Sequence, residues 1–432
     1  MAVATTSQLA QRLGAIVSAR HTLADEAARP YAIDGLVPQA VAFPGSVGEL
    51  CELLRLAQQD KLAVCPWGGG TEISFGNLPE RLDLVIALPR LNQLLDHQPE
   101  DLIATAQAGM TLHTFQAHLG VHNQFLPLDP PCPERATLGG MAAASSSGLL
   151  RLRYGLPRDL IIRMVVAGAG GTLSASGAKV VKNVAGFDMA KLYVGSLGAL
   201  GIITEMTFRV RPRPLARRSA LARFSQLEAA RSMALAVIHS ELLPEALEIL
   251  SPRTLGNEAW GVLALFGGGP EIVAAHAKRF IDRAGAAGAQ AAEEVSAGEL
   301  LLEQARRPDG GVAAVLAQAS VPLTGVAPVL AVAEQLGAQQ SCTIWSAAHF
   351  GSGAVLVAAD GPEPALGQLL LALRQSAVGQ GGSLVLRRAP EGVKRQVDVW
   401  GEVTGGLTVM RRLKENFDPQ RILSPGRLAG GL

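Results

Sequence analysis

The order of strands and helices predicted between Ala216 and Pro390 constrains the fold more than any other feature of the sequence. Short apolar runs and helix-like stretches alternate there as strand–helix–strand–strand–helix–strand, and the same order then occurs a second time. A unit with this order pairs its four strands in one sheet and packs both helices on the same face. Two successive units therefore predict one continuous antiparallel sheet with helices on a single face.

The region before it, from Pro44 to Val210, is predicted to mix helices and strands. Residues 47–60 have apolar side chains at helical spacing, and the runs "KLAVCPW" and "LDLVIAL" are typical of short buried strands. The run "DLIIRMVVAGAGGTL" predicts a hairpin around Gly168–Gly171. Glycines are unusually frequent at the ends of these elements, so the backbone there is left uncovered by side chains.

The glycines fall into four clusters. They are Pro66–Thr71 ("PWGGGT"), residues 129–148 ("DPPCPERATLGGMAAASSSG"), residues 153–159 ("RYGLPRD") and residues 182–205 ("KNVAGFDMAKLYVGSLGALGIITE"). Glycine lets main-chain N–H groups approach an anion closely, and successive amides of such a turn form an anion-binding concavity. Pyrophosphate is one anion that selects such loops. The alternative is that the glycines only make tight turns in a loop-rich domain.

Two familiar nucleotide-binding motifs do not fit these clusters. A Walker A loop ends in Gly-Lys-Ser/Thr, and "GGGTEIS" contains no Lys. A dinucleotide-binding G-x-G-x-x-G lies between a strand and a helix, whereas "GSLGALG" has another spacing and precedes a strand-like segment. If the glycines bind a nucleotide, they do so in a different fold.

The composition excludes several other functions. A formal net charge of +1 gives no strong field for nucleic acid or an anionic membrane. The four cysteines form no Cys-x-x-Cys pair, so the chain itself is expected to hold neither an iron–sulfur cluster nor zinc. We see no signal peptide, and Gly310–Ala333, uncharged but interrupted by prolines, is interpreted as strand, turn and helix. The expected localisation is cytoplasmic, either free or held at the inner membrane through partner subunits.

In this order the clusters resemble the FAD-binding domain of the vanillyl-alcohol oxidase and p-cresol methylhydroxylase (PCMH) type of flavoprotein. The tail "FDPQRILSPG" is similar to the C-terminal element with which that family returns to the flavin. The resemblance covers residues 34–214 and 405–428. It implies an α+β fold with a two-subdomain PCMH-type FAD-binding domain and a ferredoxin-like antiparallel cap. The expected domains are 1–33 (helical lead-in), 34–215 (FAD-binding), 216–400 (cap) and 401–432 (returning helix and tail).

The resemblance implies a set of cofactor-binding residues. The amides of Trp67–Thr71 would bind the FAD pyrophosphate, and Ile202 or Ile203 would face the adenine or the flavin ring. The full set is Pro66, Trp67, Gly68, Gly69, Gly70, Thr71, Asp129, Pro131, Thr137, Gly139, Gly140, Ser145, Gly148, Gly195, Gly198, Gly201, Ile202, Ile203 and Ser424. Covalent members of the family commonly place a His just after the glycines. Because Thr71 occupies that position, the FAD is expected to be non-covalent.

The fourth cluster together with "RVRPRP" is most similar to the FAD-binding E subunits of bacterial glycolate oxidases. The resemblance implies two partners, a second flavoprotein subunit and an iron–sulfur subunit, with a small 2-hydroxy acid as the substrate of the complex. The chain departs from that pattern at two positions: Phe187 replaces a Tyr, and Ser424 replaces the Asn before Pro-Gly.

Oxidation of a 2-hydroxy acid requires a base for the hydroxyl proton and a metal or cation for the carboxylate. Catalytic relatives carry His-x-Gly-Asp-Gly-Asn-Leu-His on a strand and Glu-His-Gly in a later turn, which together hold a divalent metal. The matching stretch "HFGSGAVL" keeps His349 but has Ser352, Ala354 and Leu356 instead of the other polar residues. The later turn has Arg387 and Arg388. No metal site is therefore expected.

The catalytic residues remain unknown, with His349, Arg387 and Arg388 as candidates. The two arginines could bind a carboxylate bidentately, or they could simply be solvated or ion-paired; His349 could be structural or on the surface.

We interpret the chain as an FAD subunit that carries electrons within a glycolate oxidase-type complex. Two alternatives stay open: a standalone FAD-dependent 2-hydroxy-acid dehydrogenase, and a scaffold whose flavin is only structural.

Overall fold

The computed structural model describes residues 6–177, 188–296, 298–403 and 405–432. Gly186 and Phe187 of the fourth glycine cluster lie outside these ranges. The described residues form a four-stranded sheet, a five-stranded sheet, a two-stranded ribbon and an eight-stranded sheet.

The first sheet is partly parallel and is covered by two helices. Its elements are α1 (Thr6–Val17), β1 (Thr22–Ala24), β2 (Ala40–Ala42), α2 (Val47–Asp60), β3 (Val64–Trp67) and β4 (Leu84–Ala87). The order is β1-β2-β4-β3, with β2 and β3 parallel to β4. Helix α2 has the predicted bounds because the Ser46 hydroxyl accepts a hydrogen bond from the Glu49 N–H at its start, and Lys61 is left-handed at its end.

The second sheet is antiparallel. The elements in this part of the chain are β5 (Leu94–Gln98), β6 (Ile103–Gln107), α3 (Leu112–Gly120), β7 (Gln124–Phe125), α4 (Leu138–Ala144), α5 (Arg151–Tyr154), α6 (Pro157–Leu160), β8 (Ile161–Ala167), β9 (Leu173–Gly177), α7 (Ala190–Tyr193), β10 (Ile202–Arg209) and β11 (Arg211–Pro212). The sheet order is β5-β6-β10-β8-β9, and β7 pairs with β11. Strands β8 and β9 form the predicted hairpin.

The eight-stranded sheet confirms the duplicated order. Its strands are β12 (Ala216–Phe224), β13 (Ala246–Leu250), β14 (Trp260–Gly268), β15 (Ala291–Glu294), β16 (Val315–Ser320), β17 (Thr343–His349), β18 (Ala354–Asp360) and β19 (Ser383–Arg388). The order is β15-β12-β14-β13-β17-β18-β16-β19, and every described pairing is antiparallel. The units join where β13 pairs with β17.

The remaining helices pack on or near this sheet. They are α8 (Leu227–Ile238), α9 (Pro252–Leu255), α10 (Pro270–Ala286), α11 (Gly298–Arg306), α12 (Val326–Gln339), α13 (Glu363–Gly379), α14 (Glu391–Gln396) and α15 (Leu407–Phe417). The long helices α8, α10, α12 and α13 share one core with a single face of the sheet, as predicted. The short helix α11 differs, because its Leu302 packs with Leu149 and Leu150 in a separate cluster that includes Leu221 and Leu263 of the sheet. The face that carries this cluster is turned toward the glycine-rich part of the chain.

The C-terminal segment returns to the first sheet. The Val64 N–H donates to the Ile422 carbonyl at 2.7 Å, and the Ser424 N–H donates to the Val64 carbonyl at 2.8 Å. A buried ion pair between Lys414 and Asp418, 2.7 Å apart, fixes the end of α15 before this return. The tail is thereby placed beside the first glycine cluster.

Across the described ranges, no helix is long and apolar enough to cross a membrane. The uncharged stretch 310–333 consists of β16, a 3₁₀ turn at Leu323–Gly325 and the start of α12. The interpretation as strand, turn and helix is therefore correct.

Candidate functional site

A cleft of about 730 Å³ lies between the first two sheets, and much of its wall is backbone. We call it the glycine cleft and define it by the loop Gly68–Thr71, helix α4, the segment from Gly198 to Ile203, and Arg427. Twelve of the predicted cofactor-binding residues line it: Pro66, Gly68, Gly69, Gly70, Thr71, Thr137, Gly139, Gly140, Gly198, Gly201, Ile202 and Ile203. Three of the sequence clusters and the tail thus meet in one place.

The glycines of this cleft cannot be replaced without a clash. A Cβ on Gly69 would lie 1.7 Å from the carbonyl oxygen of Arg135, and one on Gly198 would lie 2.2 Å from Cγ of Pro66. Gly70 has a φ of +71°, a left-handed conformation that favours glycine. The backbone is packed so closely that only residues without a side chain fit.

The loop that follows β3 has main-chain N–H groups without hydrogen-bond acceptors among the described residues. Within the described residues, the N–H groups of Gly69, Gly70 and Thr71 donate no hydrogen bond. Unpaired backbone N–H groups need a partner, either water or a ligand. Successive free amides in a glycine turn form the concavity that binds phosphate oxygens. The cleft therefore fits a ligand that carries a diphosphate.

Thr137 fixes the start of α4 against this loop. Its hydroxyl accepts a hydrogen bond from the Gly140 N–H at 3.2 Å, which caps the helix. A Cβ on Gly68 would lie 2.2 Å from the same hydroxyl oxygen. The loop and the helix are thus held in contact, and Gly139 packs directly against Ala108.

Four predicted residues line neither cavity: Trp67, Gly195 and Ser424 contact residues near the glycine cleft, and Asp129 contacts residues that line the second cavity described below. Trp67 packs its ring against Tyr31, with the centroids 5.0 Å apart. Gly195 donates its N–H to a carbonyl of α4 at 3.0 Å. The hydroxyl of Ser424, which is buried, donates to the Leu197 carbonyl at 3.1 Å. Asp129 accepts from the N–H groups of residues 149 and 150, both at 3.1 Å. In the structure these four residues hold the loops near the two cavities through their own contacts.

A second cavity, of about 540 Å³ including its open mouth, lies between the glycine-rich loops and the eight-stranded sheet. We call it the arginine cavity and define it by Arg151, Arg306 and Arg387, which line it with His349. The predicted residues Pro131, Ser145 and Gly148 line this cavity instead of the glycine cleft. Glu72 lines both cavities, so they adjoin.

Two of the three arginines are ion-paired. Arg387 lies 2.8 Å from the Glu72 carboxylate, and its guanidinium stacks 4.0 Å over the ring of Phe75. Arg306, from the sheet domain, lies 3.0 Å from Asp129 of the glycine-rich region. These pairs join the two sides of the cavity, which agrees with the ion-paired alternative for Arg387.

His349 is buried, so a surface role is excluded. Its Nδ1 lies 2.6 Å from a carboxylate oxygen of Glu248, on the neighbouring strand β13. Burial raises the pKa of Glu248 above its ordinary value, and the adjacent imidazole acts in the opposite direction. The imidazole is therefore held in one orientation at the wall of the arginine cavity.

Arg388 is separated from Arg387 although they are neighbours in sequence. Successive side chains of a strand point to opposite faces. Arg388 lies 2.7 Å from the carboxylate of Asp309 and donates to the Ala313 carbonyl at 2.9 Å, outside the arginine cavity. Of the three catalytic candidates, only His349 and Arg387 come together.

The sequence reasoning missed several residues of these cavities. Arg427, in the tail, is 2% exposed, lines the glycine cleft and donates to the carbonyls of Ile73 and Phe75. Arg151 and Arg306, which line the arginine cavity, and Glu248, which pairs with His349 at its wall, were also missed, because a lone charged residue gives no sign of the partners that folding brings to it. For Arg427, the adjoining Ser-Pro-Gly motif was the available signal.

Within the described ranges, no group of three or more His, Cys, Asp or Glu residues could hold a metal ion. Residues Ala354 and Leu356 on β18 supply no ligand beside His349. The Ser352 hydroxyl donates to the His349 carbonyl at 3.1 Å.

The fold is of the PCMH type, and two family models match parts of the chain that form most of the glycine cleft. Residues 38–176 match the family described as FAD binding domain, and residues 399–428 match the C-terminal domain of FAD linked oxidases. The two matches contain the loop Gly68–Thr71, helix α4 and Arg427, whereas the segment from Gly198 to Ile203 lies outside them. Together with the relatives described next, they identify FAD as the cofactor and the chain as an oxidoreductase.

Among curated proteins, the chain is similar to glycolate oxidase subunit GlcD of Bacillus subtilis. The two are 28% identical over 424 residues, which cover 91% of this chain and 89% of that protein. The chain is also 33% identical to a D-2-hydroxyglutarate dehydrogenase of Xanthomonas citri, and 30% identical to a mitochondrial cytochrome-type D-lactate dehydrogenase of Arabidopsis thaliana. These two alignments span 50% of this chain and only 46% and 37% of those proteins.

Solved structures confirm the fold over nearly the whole chain. Substrate-bound p-cresol methylhydroxylase superimposes with a TM-score of 0.79 at 16% identity, covering 98% of this chain and 96% of that one. Alkyldihydroxyacetonephosphate synthase gives a TM-score of 0.74 at 19% identity, covering 97% and 84%. At such identities, the likeness concerns the fold alone.

Proposed function

We propose that this chain is an FAD-binding subunit of a multi-component enzyme of the glycolate oxidase type, which oxidises a 2-hydroxy acid to a 2-oxo acid. Electrons reach its FAD from a second flavoprotein subunit and leave toward an iron–sulfur subunit. The observation that carries the proposal is the glycine cleft, whose free amides at Gly69–Thr71 suit a diphosphate. The named function of the Bacillus subtilis relative, a glycolate oxidase subunit, supports the reaction class.

In this proposal the chain holds FAD mainly through backbone. The amides of Gly69, Gly70 and Thr71 bind the pyrophosphate, and Ile202 and Ile203 contact an aromatic part of the cofactor. The hydroxyl of Thr71 cannot form the bond to flavin that a His would form, so the cofactor is non-covalent. The remaining residues of the predicted set position these contacts.

Bound FAD supplies the capacity to take up two electrons together and release them one at a time. The residues of the chain supply the environment for that chemistry. The Arg427 guanidinium, buried at the wall of the cleft and 3.8 Å from the Asp34 carboxylate, provides a cationic group in a fixed position. Arg387, stacked 4.0 Å over the ring of Phe75, holds the adjoining arginine cavity beside the cleft.

The assignment to an electron-carrying subunit rests on the positions where catalytic relatives bind metal. Ser352, Ala354 and Leu356 replace the other polar residues of the His-x-Gly-Asp-Gly-Asn-Leu-His motif, and the Leu356 side chain lines the arginine cavity. A cavity with one His, three arginines and a single carboxylate, Glu72, which Arg387 already pairs, does not suit a divalent cation. Metal-assisted oxidation of substrate would then occur in the partner flavoprotein.

The test is affinity purification of the tagged chain from its native host, read with the absorption spectrum. The proposal expects a yellow chain that co-purifies with a second flavoprotein and an iron–sulfur protein. It also expects glycolate to bleach the flavin of the assembled complex but not that of the isolated chain. Purification of the yellow chain alone, without partners under mild conditions, would contradict the assembly.

A second candidate, a standalone FAD-dependent 2-hydroxy-acid dehydrogenase, is favoured by the arginine cavity. This cavity adjoins the glycine cleft through Glu72 and presents His349 beside three cations. If the isolated chain bleaches on addition of glycolate or lactate, this candidate replaces the first.

A Gly69→Asp variant places a carboxylate against the diphosphate and should abolish the yellow colour. If the assembled complex then keeps its activity, the flavin of this chain is only structural.

A further inference from the structure

Arg151 is the arginine of the arginine cavity whose side chain has no ion-paired or hydrogen-bonded partner among the described residues. Arg387 pairs with Glu72 at 2.8 Å, and Arg306 pairs with Asp129 at 3.0 Å. Across the described ranges, the Arg151 side chain forms no hydrogen bond and no ion pair, although its residue is only partly exposed. A half-buried guanidinium without an anion is unusual, because charged groups away from water are ordinarily paired.

The surroundings of Arg151 make this lack of a partner costly. Burial lowers the pKa of its guanidinium, the nearby Glu248 opposes that effect, and the positive charge of Arg387 adds to it. Arginine nevertheless keeps its charge at any ordinary pH. A small anion that entered the cavity would relieve the repulsion between Arg151 and Arg387.

The backbone that carries Arg151 is fixed in advance. The two residues before it donate their N–H groups to the carboxylate of Asp129, both at 3.1 Å, and Asp129 is in turn held by Arg306. Gly148 is packed so tightly that a Cβ would lie 2.0 Å from the Asp129 carbonyl oxygen. Preorganisation of this kind lowers the cost of binding a ligand.

We propose that the arginine cavity binds a small monocarboxylate, with the Arg151 guanidinium as the group that contacts its carboxylate and with no metal ion. The planar fork of arginine matches the two oxygens of a carboxylate. His349 and Gln318, which also line the cavity, can hydrogen-bond an oxygen on the neighbouring carbon. This rests on the proposed function and goes beyond it: oxidation stays with the partner flavoprotein, and this chain carries its own site for the 2-hydroxy acid or the 2-oxo acid next to the flavin cleft.

The experiment titrates the purified holoprotein with glyoxylate, which is already oxidised and cannot reduce the flavin. Binding is followed by calorimetry and by the shift of the flavin absorption bands. Arg151→Gln should weaken glyoxylate binding at least tenfold, because it removes a charge-assisted pair. Glycolamide, which replaces the carboxylate with an uncharged amide, should not bind measurably.

Arg153→Gln is the matched control. It makes the same change two residues away on the same short helix, where the side chain is exposed and donates to the Leu243 carbonyl outside the cavity. Its glyoxylate affinity should equal that of the wild type. Arg151→Lys keeps the positive charge but loses the planar guanidinium, so it should bind glyoxylate with intermediate affinity. It provides a second test if Arg151→Gln does not fold.

The outcomes separate this inference from the proposed function. A yellow protein that does not bind glyoxylate overturns the carboxylate site and leaves the flavin role intact. Equal glyoxylate affinity in the wild type and the Arg151 variants overturns the role of Arg151. A folded protein that takes up no FAD overturns the proposed function, whatever the carboxylate titration gives.

Discussion

The substitution Gly69→Ala tests the glycine cleft with a single methyl group. The new Cβ would lie 1.7 Å from the Arg135 carbonyl oxygen and 2.6 Å from its carbonyl carbon, which are both backbone atoms. Ordinary contact begins near 3.4 Å. The loop must therefore move by roughly 1.7 Å, since a backbone carbonyl cannot rotate away as a flexible side chain does.

The size of the effect follows from this displacement. Overpacking of a closely packed site costs about 1–3 kcal/mol of folding free energy. A shift of this size also breaks the hydrogen bonds that the loop amides would donate to phosphate, each worth about 1.5–3 kcal/mol. Loss of two such bonds corresponds to about 3–6 kcal/mol, so FAD affinity should fall by about two to four powers of ten.

The assay is a calorimetric titration of apoprotein with FAD, together with the melting temperature of each variant. Gly285→Ala is the control, because a Cβ on this helical glycine of α10 meets no atom within 4 Å. It should bind FAD like the wild type and be slightly more stable, as alanine favours helix over glycine. If Gly69→Ala binds FAD within threefold of the wild type, the cleft does not hold the cofactor through this loop.

Three further predictions concern stability and metal binding. Lys394→Met should lower the free energy of unfolding in urea by about 3 kcal/mol, because it removes the nearer cation from the buried carboxylate of Asp34, 2.8 Å from the Lys394 ammonium, and leaves only Arg427, 3.8 Å away. A loss below about 1 kcal/mol would show that the pair is not a structural anchor. Burial, with the Glu245 carboxylate 2.5 Å away, raises the pKa of Tyr154 from 10.0 to about 12. The stability that Tyr154 contributes is therefore complete below pH 10 and is lost between pH 10 and 12, a loss that should be absent in Tyr154→Phe when unfolding is followed against pH. Zn²⁺ or Mn²⁺ should not raise the melting temperature of the purified chain, because no described residues complete a metal site with His349; a saturable rise that His349→Ala removes would refute this.

Much of the fold could be predicted because local pattern and tertiary structure agree. The apolar spacing and the Ser46 cap define helix α2 at Val47–Asp60, and the Gly168–Gly171 turn produces the predicted hairpin. The doubled strand–helix order gives the eight-stranded sheet with its four long helices on one face. Helix α11 was not predicted. It packs in a separate cluster with residues distant in sequence, such as Leu149, and no local pattern reveals such a contact.

The glycine cleft could be predicted, because clusters of glycine indicate exposed backbone. The arginine cavity could not, because the positions of its charged side chains depend on ion pairs between distant residues. The loop Gly68–Thr71 and the residues around Gly198 lie in one cleft, as the clusters indicated. Neighbouring arginines could not be distinguished, since only the direction of β19 places Arg387 in the cavity and Arg388 outside it. The unpaired state of Arg151 depends on which carboxylates other elements bring near it, and no local pattern encodes that.

The most direct test of the central claim is the flavin content of the purified chain after acid precipitation. We expect close to one FAD per chain, released completely into the supernatant because Thr71 offers no covalent attachment. A folded protein that stays colourless after incubation with FAD, or one whose flavin remains with the precipitate, would contradict it.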